Sequence, residues 1–297
     1  MKGLFLSVDV DSLYLYLGLY GKDARDHNQR IDLVRKTYET GVLRFANLFA
    51  ELGAKGTFFV VGQDLDFEQS SHILKDVVNE GHCAGNHTWS HPYEFIRLTG
   101  DKARAEILGG HGAIEAATGT APTIFRAPGY NMTDREYIML EEAGYSYDAS
   151  PLPSYPYLAL KYSVLSFLAL TGKKSRSIWG NPMGFLGPRE PYQRGSMTVL
   201  PNGATSWLRL PVIGTALSTA PSPLFNYMLW NMKQLEFVSL EFHAVDLMGL
   251  VEDSLPQGLA SQKDLAIPVQ RKRERFKRFI GSLLETHPVF LPTVHEP

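Results

Sequence analysis

The feature that most narrows the fold of this 297-residue chain is an alternation that runs through its first 150 residues. A short buried strand is followed by a helix that stops at glycine, and then by another strand. GLFLSVDV at 3–10 reads as a buried strand, residues 31–52 carry apolar side chains at helical spacing up to Gly53, and GTFFVV at 56–61 is the next strand. The pattern continues with SHILKDVVNEG ending at Gly81, CAGNH, DKARAEILGGHGAIEAATG, TIFRAPGY, DREYIMLEEAG and YSYDAS. Buried strands separated by helices predict an α/β chain with a parallel sheet, whose strand ends collect functional groups on one rim.

After Ser150 the rhythm breaks. Residues 151–195 are rich in proline, glycine and aromatics and hold an apolar stretch, YPYLALKYSVLSFLAL, followed by the cationic KKSRSIW. A β-hairpin is expected from SMTVL and ATSWLRLPV joined through Pro201, Asn202 and Gly203, because Asn-Gly suits the positive φ angles of a tight turn. The alternation resumes with EFVSLEFHAVD, a basic helix over 270–285 and a last strand, PVFLPTV. The expected organisation is one catalytic domain over 1–297 with an insertion at about 151–206.

Composition excludes several classes. With 44% hydrophobic and 20% charged residues the chain is neither disordered nor fibrous, and a net charge of −2 gives no global field to recruit nucleic acid. Cys83 is the sole cysteine, so no internal disulfide framework exists, and it reads as a small buried side chain rather than a nucleophile. The first apolar run is interrupted by Asp9 too early for a signal-peptide core, so a cytoplasmic protein is expected. No window offers the roughly 18 uncharged apolar residues of a spanning helix. Glycine-rich nucleotide-binding patterns are absent.

GHCAGNHTWSHP at 81–92 places His87 and His91 four residues apart. On a helix that spacing would aim both imidazoles at one point, as a divalent metal requires, although a packed or surface pair would look the same. Asp9, Asp11, His87, His91, Arg126, Asp148 and His243 all fall at or just beyond predicted strand ends, and their convergence on one rim favours a site. His72, His82 and His111 lie on or beside helices and read as packed or surface histidines, and the basic run RKRERFKR at 271–278 reads as a solvated helix face.

SVDVDS, HTWSHP after GHCAGN, RAPGY and SLEFHAVD resemble, in order and spacing, the motifs of the polysaccharide deacetylase family, carbohydrate esterase family four with the NodB homology fold. The resemblance covers residues 3–148 and 207–295. It implies a distorted barrel of roughly seven β/α units and hydrolysis of an N-acetyl or similar acyl group from an amino sugar. It further implies one divalent ion, with zinc as the expected cofactor, held by Asp11, His87 and His91, with Asp9 as base, His243 as general acid, and Arg126 paired with the base. A backbone N–H of the turn at Gly129 and Tyr130 would stabilise the oxyanion. Val10 splits the family's adjacent aspartates, Arg126-Ala-Pro-Gly-Tyr130 replaces its proline-paired motif, and its Asp-Trp motif is missing, so Asp148 or Asp246 is left to orient His243. These departures keep a second reading open, a binding or regulatory barrel without turnover.

The insertion lies outside the resemblance. An apolar segment from Tyr155 to Leu170 followed by Lys173, Lys174, Arg176 and Trp179 fits either a lid or dimer contact over the site, or a segment lying in a membrane interface. The second version predicts a glycolipid substrate and peripheral contact with the inner membrane, whereas the first is compatible with any amino-sugar glycan.

Overall fold

The computed structural model describes residues 2–19, 26–170 and 179–292, with the side chains of Leu19, Leu168 and Ala169 excepted. Eight strands form one sheet: β1 Gly3–Val10, β2 Thr57–Val60, β3 Cys83–Asn86, β4 Ile124–Phe125, β5 Tyr147–Asp148, β6 Tyr192–Arg194, β7 Met197–Val199 and β8 Phe237–His243. Their order is β6-β7-β5-β4-β3-β2-β1-β8, parallel throughout except for the β6–β7 pair. The helices are α1 Leu13–Leu19, α2 His27–Lys36, α3 Leu43–Glu51, α4 Glu68–Asn79, α5 Gly100–Thr118, α6 Asp134–Glu142, α7 Tyr155–Leu170, α8 Met183–Leu186, α9 Gly214–Thr219, α10 Ser222–Met232 and α11 Val269–Leu284. The sheet curls into a half-barrel, as an α/β chain of barrel type should.

Strand alternation explains the curl's two faces. Leu4, Leu6, Val8 and Val10 of β1 and Val238, Leu240 and Phe242 of β8 join the core under the helices, with Phe45, Phe49 and Phe276. The intervening Phe5, Ser7 and Asp9, and Ser239, Glu241 and His243, point to the other face by the period of two, so the concave face turns polar towards the strand ends. Asp9 sits directly beside His243 in the β1–β8 register, and Ser7 beside Glu241.

Most predicted helices form where periodicity placed them. Gly53, Gly81, Gly119 and Gly144 follow helix ends with positive φ, and a Thr133–Glu136 capping box starts α6. The helix expected over 31–52 is interrupted by a π-helical segment, Thr37–Val42, where Gly41 lies so close to Ala244 that a Cβ would meet its carbonyl oxygen at 2.6 Å.

Three expectations are corrected. Asn202 and Gly203 do not make a hairpin turn: β7 pairs with β6 around Gly195, while a Cβ on Gly203 would meet Ser239 O at 2.6 Å. Glycine is used there for close approach to β8, and the Asn202 side chain is buried in the site. The last strand shrinks to a bridge between Val289 and Leu4, and Thr293 and Val294 of its expected span lie outside the described residues. The basic helix is not merely a solvated face, because Lys272 is buried and donates to Met248 O at 2.6 Å and Asp264 O at 3.1 Å.

Candidate active site

The two histidines leave β3 on an irregular loop, not a helical turn. Thr88 and His91 have φ of 69° and 55°, a left-handed backbone that side chains adopt only when neighbours hold it. The holding groups are visible. Asn86 Oδ1 accepts from Thr88 N at 2.9 Å, Thr88 Oγ1 accepts from His91 N at 3.0 Å, and Thr88 O accepts from Gly62 N at 2.9 Å. Helix α5 presses against this loop through Gly110, where a Cβ would stand 2.1 Å from Asn86 Oδ1.

The spacing therefore brings the rings together by a different route from the expected one. His87 and His91 pack with centroids 4.9 Å apart, and their Nε2 atoms lie 3.3 and 3.4 Å from Asp11 Oδ1. His87 Nδ1 is 2.7 Å from the carbonyl oxygen of Arg126, which can only accept, so that nitrogen carries hydrogen and, in the neutral ring, Nε2 is the one with the lone pair. Asp11 Oδ1 is buried and has no hydrogen-bond partner among the described residues. Burial alone would raise the Asp11 carboxyl, but the imidazoles of His91 and His87 hold it well below the usual carboxylate range. Burial pushes His91 down to about 4. Two imidazole nitrogens and one anionic oxygen around an unsatisfied point make a donor set that fits a borderline divalent cation, with positions left open.

Beside this trio, Asp9 takes an ion pair with the fully buried Arg126. The guanidinium also donates to Ala149 O at 2.9 Å, Ser7 Oγ at 2.9 Å and Asn202 Oδ1 at 3.0 Å, and lies over the Phe59 ring. Asp9 Oδ2 is left facing His87 Nε2 at 3.9 Å and His243 Nε2 at 4.0 Å. Burial would lower His243, yet Asp9, Asp11 and Glu241 around it raise it to about 9. Asp246 Oδ2 accepts from His243 N at 2.8 Å and lies 4.0 Å from Nδ1, so of the two aspartates considered for orienting this histidine the structure brings Asp246 to it.

Asp148 is not at the reacting centre. Its carboxylate is fully buried at the end of β5, bonded to Tyr137 Oη at 2.7 Å and to Ser150, whose Oγ accepts from Ala127 N at 2.8 Å. It braces the strand end that carries Arg126. Gly129 and Tyr130 do line the cavity, both with positive φ, and Tyr130 Oη donates to Glu241 Oε1 at 2.6 Å. Glu241 was missed by sequence reasoning, as was Asn202. Burial first, then the charge of Asp9, lifts the Glu241 carboxyl to about 7. The alternation of β8 could have found it, since Ser239, Glu241 and His243 share one face.

Asp9, Asp11, His87, His91 and His243 open into one cavity of about 440 Å³. The histidines read as structural are so: His82 accepts from Gly56 N and packs on Phe49 and Phe58, His111 meets Tyr145 Oη, and His72 lies near Glu68 on the surface. Burial pushes the Cys83 thiol up to about 11, against a nucleophilic role.

Residues 34–147 match the family model described as polysaccharide deacetylase. Over that segment the chain is similar to polysaccharide deacetylases. A peptidoglycan deacetylase of Helicobacter pylori is 31% identical over 146 residues, 48% of this chain and 47% of that protein. A peptidoglycan-N-acetylglucosamine deacetylase of Bacillus cereus is 33% identical over 109 residues, 37% of this chain and 48% of that protein. The chain thus spans about half the length of these two relatives. A crystal structure from Mycobacterium smegmatis, of a protein assigned as a polysaccharide deacetylase, superposes with a TM-score of 0.55 at 16% identity, covering 100% of this chain and 95% of that one, and shares the fold.

Proposed function

We propose that this chain is a member of the polysaccharide deacetylase family and a metal-dependent hydrolase that removes an N-acetyl or similar acyl group from an amino sugar. The observation that carries the reading is Asp11 Oδ1, buried and without a hydrogen-bond partner between two imidazole nitrogens, in the same cavity as a carboxylate paired with arginine and a histidine raised by its neighbours. Asp11, His87 and His91 would hold the ion, zinc being the first choice for such a donor set. When bound, the ion would supply Lewis acidity to the amide carbonyl and lower the pKa of a water from about 15.7 towards neutrality.

The chain's own groups do the proton work. Arg126 keeps one oxygen of Asp9 occupied, so Oδ2 is the atom left to take a proton from water. An amine leaves poorly unless protonated. His243, carrying its proton up to about pH 9, is placed to deliver it to the leaving nitrogen. The left-handed turn at Gly129 and Tyr130 brings main chain to the cavity wall, where an N–H can face the developing oxyanion. The peptidoglycan-acting relatives support an N-acetylglucosamine-type sugar as substrate. The test is amine release from a panel of N-acetylated glycans by zinc-loaded protein. Release that disappears in Asp9→Asn is expected, and a zinc-loaded protein that binds these glycans without releasing amine from any of them would favour the non-catalytic barrel instead.

A further inference from the structure

The described residues expose fourteen large hydrophobic side chains, and ten of them fall between Tyr155 and Leu208. They are not scattered. Leu160, Val164 and Phe167, exposed by 63%, 48% and 61%, succeed one another along one side of α7, while Leu165 on the same helix is buried. Leu160 is also a wall of the catalytic cavity, with Lys161 next to it. The row is therefore continuous with the cavity mouth. Beyond it, Trp179 packs on Tyr162. The tip of the 204–211 loop carries Trp207, exposed by 86%, and is tied to the start of α7 by Arg209, which bonds Gly187 O and lies over Tyr155.

A helix that is apolar on all sides normally has all sides buried, and here the side of Leu160, Val164 and Phe167 stays largely exposed. Charge decides what covers it. Residues 155–209 contain seven lysines and arginines and one glutamate, in a chain of net charge −2. Lys173, Lys174 and Arg176 of that count lie outside the described residues. Of the four described ones, Arg194 pairs with Asp134, while Lys161, Arg189 and Arg209 bond backbone oxygens, those of Gly129, Ala204 and Gly187, with no carboxylate hydrogen-bonded to them. A second copy of the chain would set this net positive segment against itself, whereas an anionic surface matches it.

We propose that the α7 face and the 204–211 loop tip dock on an anionic lipid bilayer, so that the cavity opens onto the membrane and takes an amino sugar carried by a membrane lipid. The docking stands on the surface alone, while the substrate class rests on the deacetylase reading. No helix among the described residues is long and apolar enough to cross a membrane, so the contact is peripheral. Exposed tryptophans and cations beside an apolar helix are the groups that settle at the headgroup level.

The experiment is co-sedimentation of the whole chain with phosphatidylcholine vesicles, with and without phosphatidylglycerol. It compares wild type, Val164→Ser/Phe167→Ser and the remote surface control Val251→Ser, with melting temperatures confirming that all three are folded. Wild type and the Val251 control should bind the anionic vesicles, and the double variant should partition about thirty-fold or more weakly, the scale of withdrawing one large and one medium apolar side chain from lipid. Negligible binding by wild type, or equal binding by the double variant, overturns the proposal. So does self-association in sedimentation equilibrium that the double variant abolishes while vesicles remain unbound, which would assign the face to a second copy. Amine release from soluble N-acetylglucosamine oligomers, measured on the same zinc-loaded samples, separates the two readings: vesicle binding without release sinks the deacetylase and its lipid-borne substrate but leaves the docking.

Discussion

The β1–β8 edge and the α7 region obey opposite rules of burial. Where β1 meets β8, even charged groups are sealed: Arg126 is fully buried and its Nε, Nη1 and Nη2 each donate to an oxygen. In α7 and α8 even apolar groups are open, with Phe167, Leu170 and Met183 more than half exposed. Burying a charge is tolerated only with full pairing, and exposing a large apolar face is tolerated only with something to meet. The first region is finished within the chain, and the second, on the docking proposed above, would be completed from outside it.

The largest effect expected from this contrast is on stability. Phe45→Ala, which removes a ring packed against Phe49, Phe242 and Phe276, should cost about 3–5 kcal/mol in denaturant unfolding. Arg126→Met should cost a similar amount, about 3–5 kcal/mol, because Asp9 would be left charged and unpaired in a buried place. A loss below roughly 1 kcal/mol in either variant, the scale of ordinary substitutions, would break the claim that this region is sealed. Next in size is Asp9→Asn, expected to lower kcat roughly a hundred-fold while zinc content by elemental analysis stays stoichiometric. Zinc lost with the activity would place Asp9 among the ligands.

A smaller effect is the alkaline limb of activity. His243 must be protonated to act as an acid and its folded value is raised to about 9, so activity should be present at neutral pH and fall as pH rises through about 9. The charge of a bound cation would move that limb lower, so zinc-loaded and manganese-loaded protein are compared, and a limb unchanged in His243→Gln would assign it to another group. The smallest effect sharpens the other side of the contrast: Val164→Ser/Phe167→Ser should change unfolding stability by no more than about 0.5 kcal/mol, as surface substitutions do. A large loss would mean that α7 is core after all.

Legibility in the sequence follows the same divide. Strands β1 to β3 and β8 and the helical stretches before Gly53 and Gly81 were readable because one face is buried against helices, which forces apolar periodicity, and because glycine marks those two stops, whereas α1 went unread. Asp9, Asp11, His87, His91, Arg126 and His243 were found as strand-end groups and are brought together. The reason given for His87 and His91 was wrong in its geometry, since pairing by a left-handed loop leaves no periodic trace. Asp148 was misplaced because a strand end says nothing of which neighbour a carboxylate meets, and Tyr137 lies only 11 residues earlier. Asn202 was hidden because Asn-Gly reads as a turn, whereas here the pair serves a buried arginine and a close strand approach.

If Asp11, His87 and His91 hold an ion as proposed, the clamp on the His87–His91 loop bears on which ion that is. Thr88 and His91 are held in left-handed backbone by hydrogen bonds within the polypeptide and by a helix that fits only because residue 110 lacks a side chain. The imidazoles are therefore fixed before any cation arrives, and the spacing is set by folding rather than by the ligand sphere. A rigid aperture of this kind discriminates by radius and preferred coordination, and it stays open when the cation leaves. On the proposed reading, one ion could then be exchanged for another without unfolding, and the occupant would follow the supply of metals that fit the aperture.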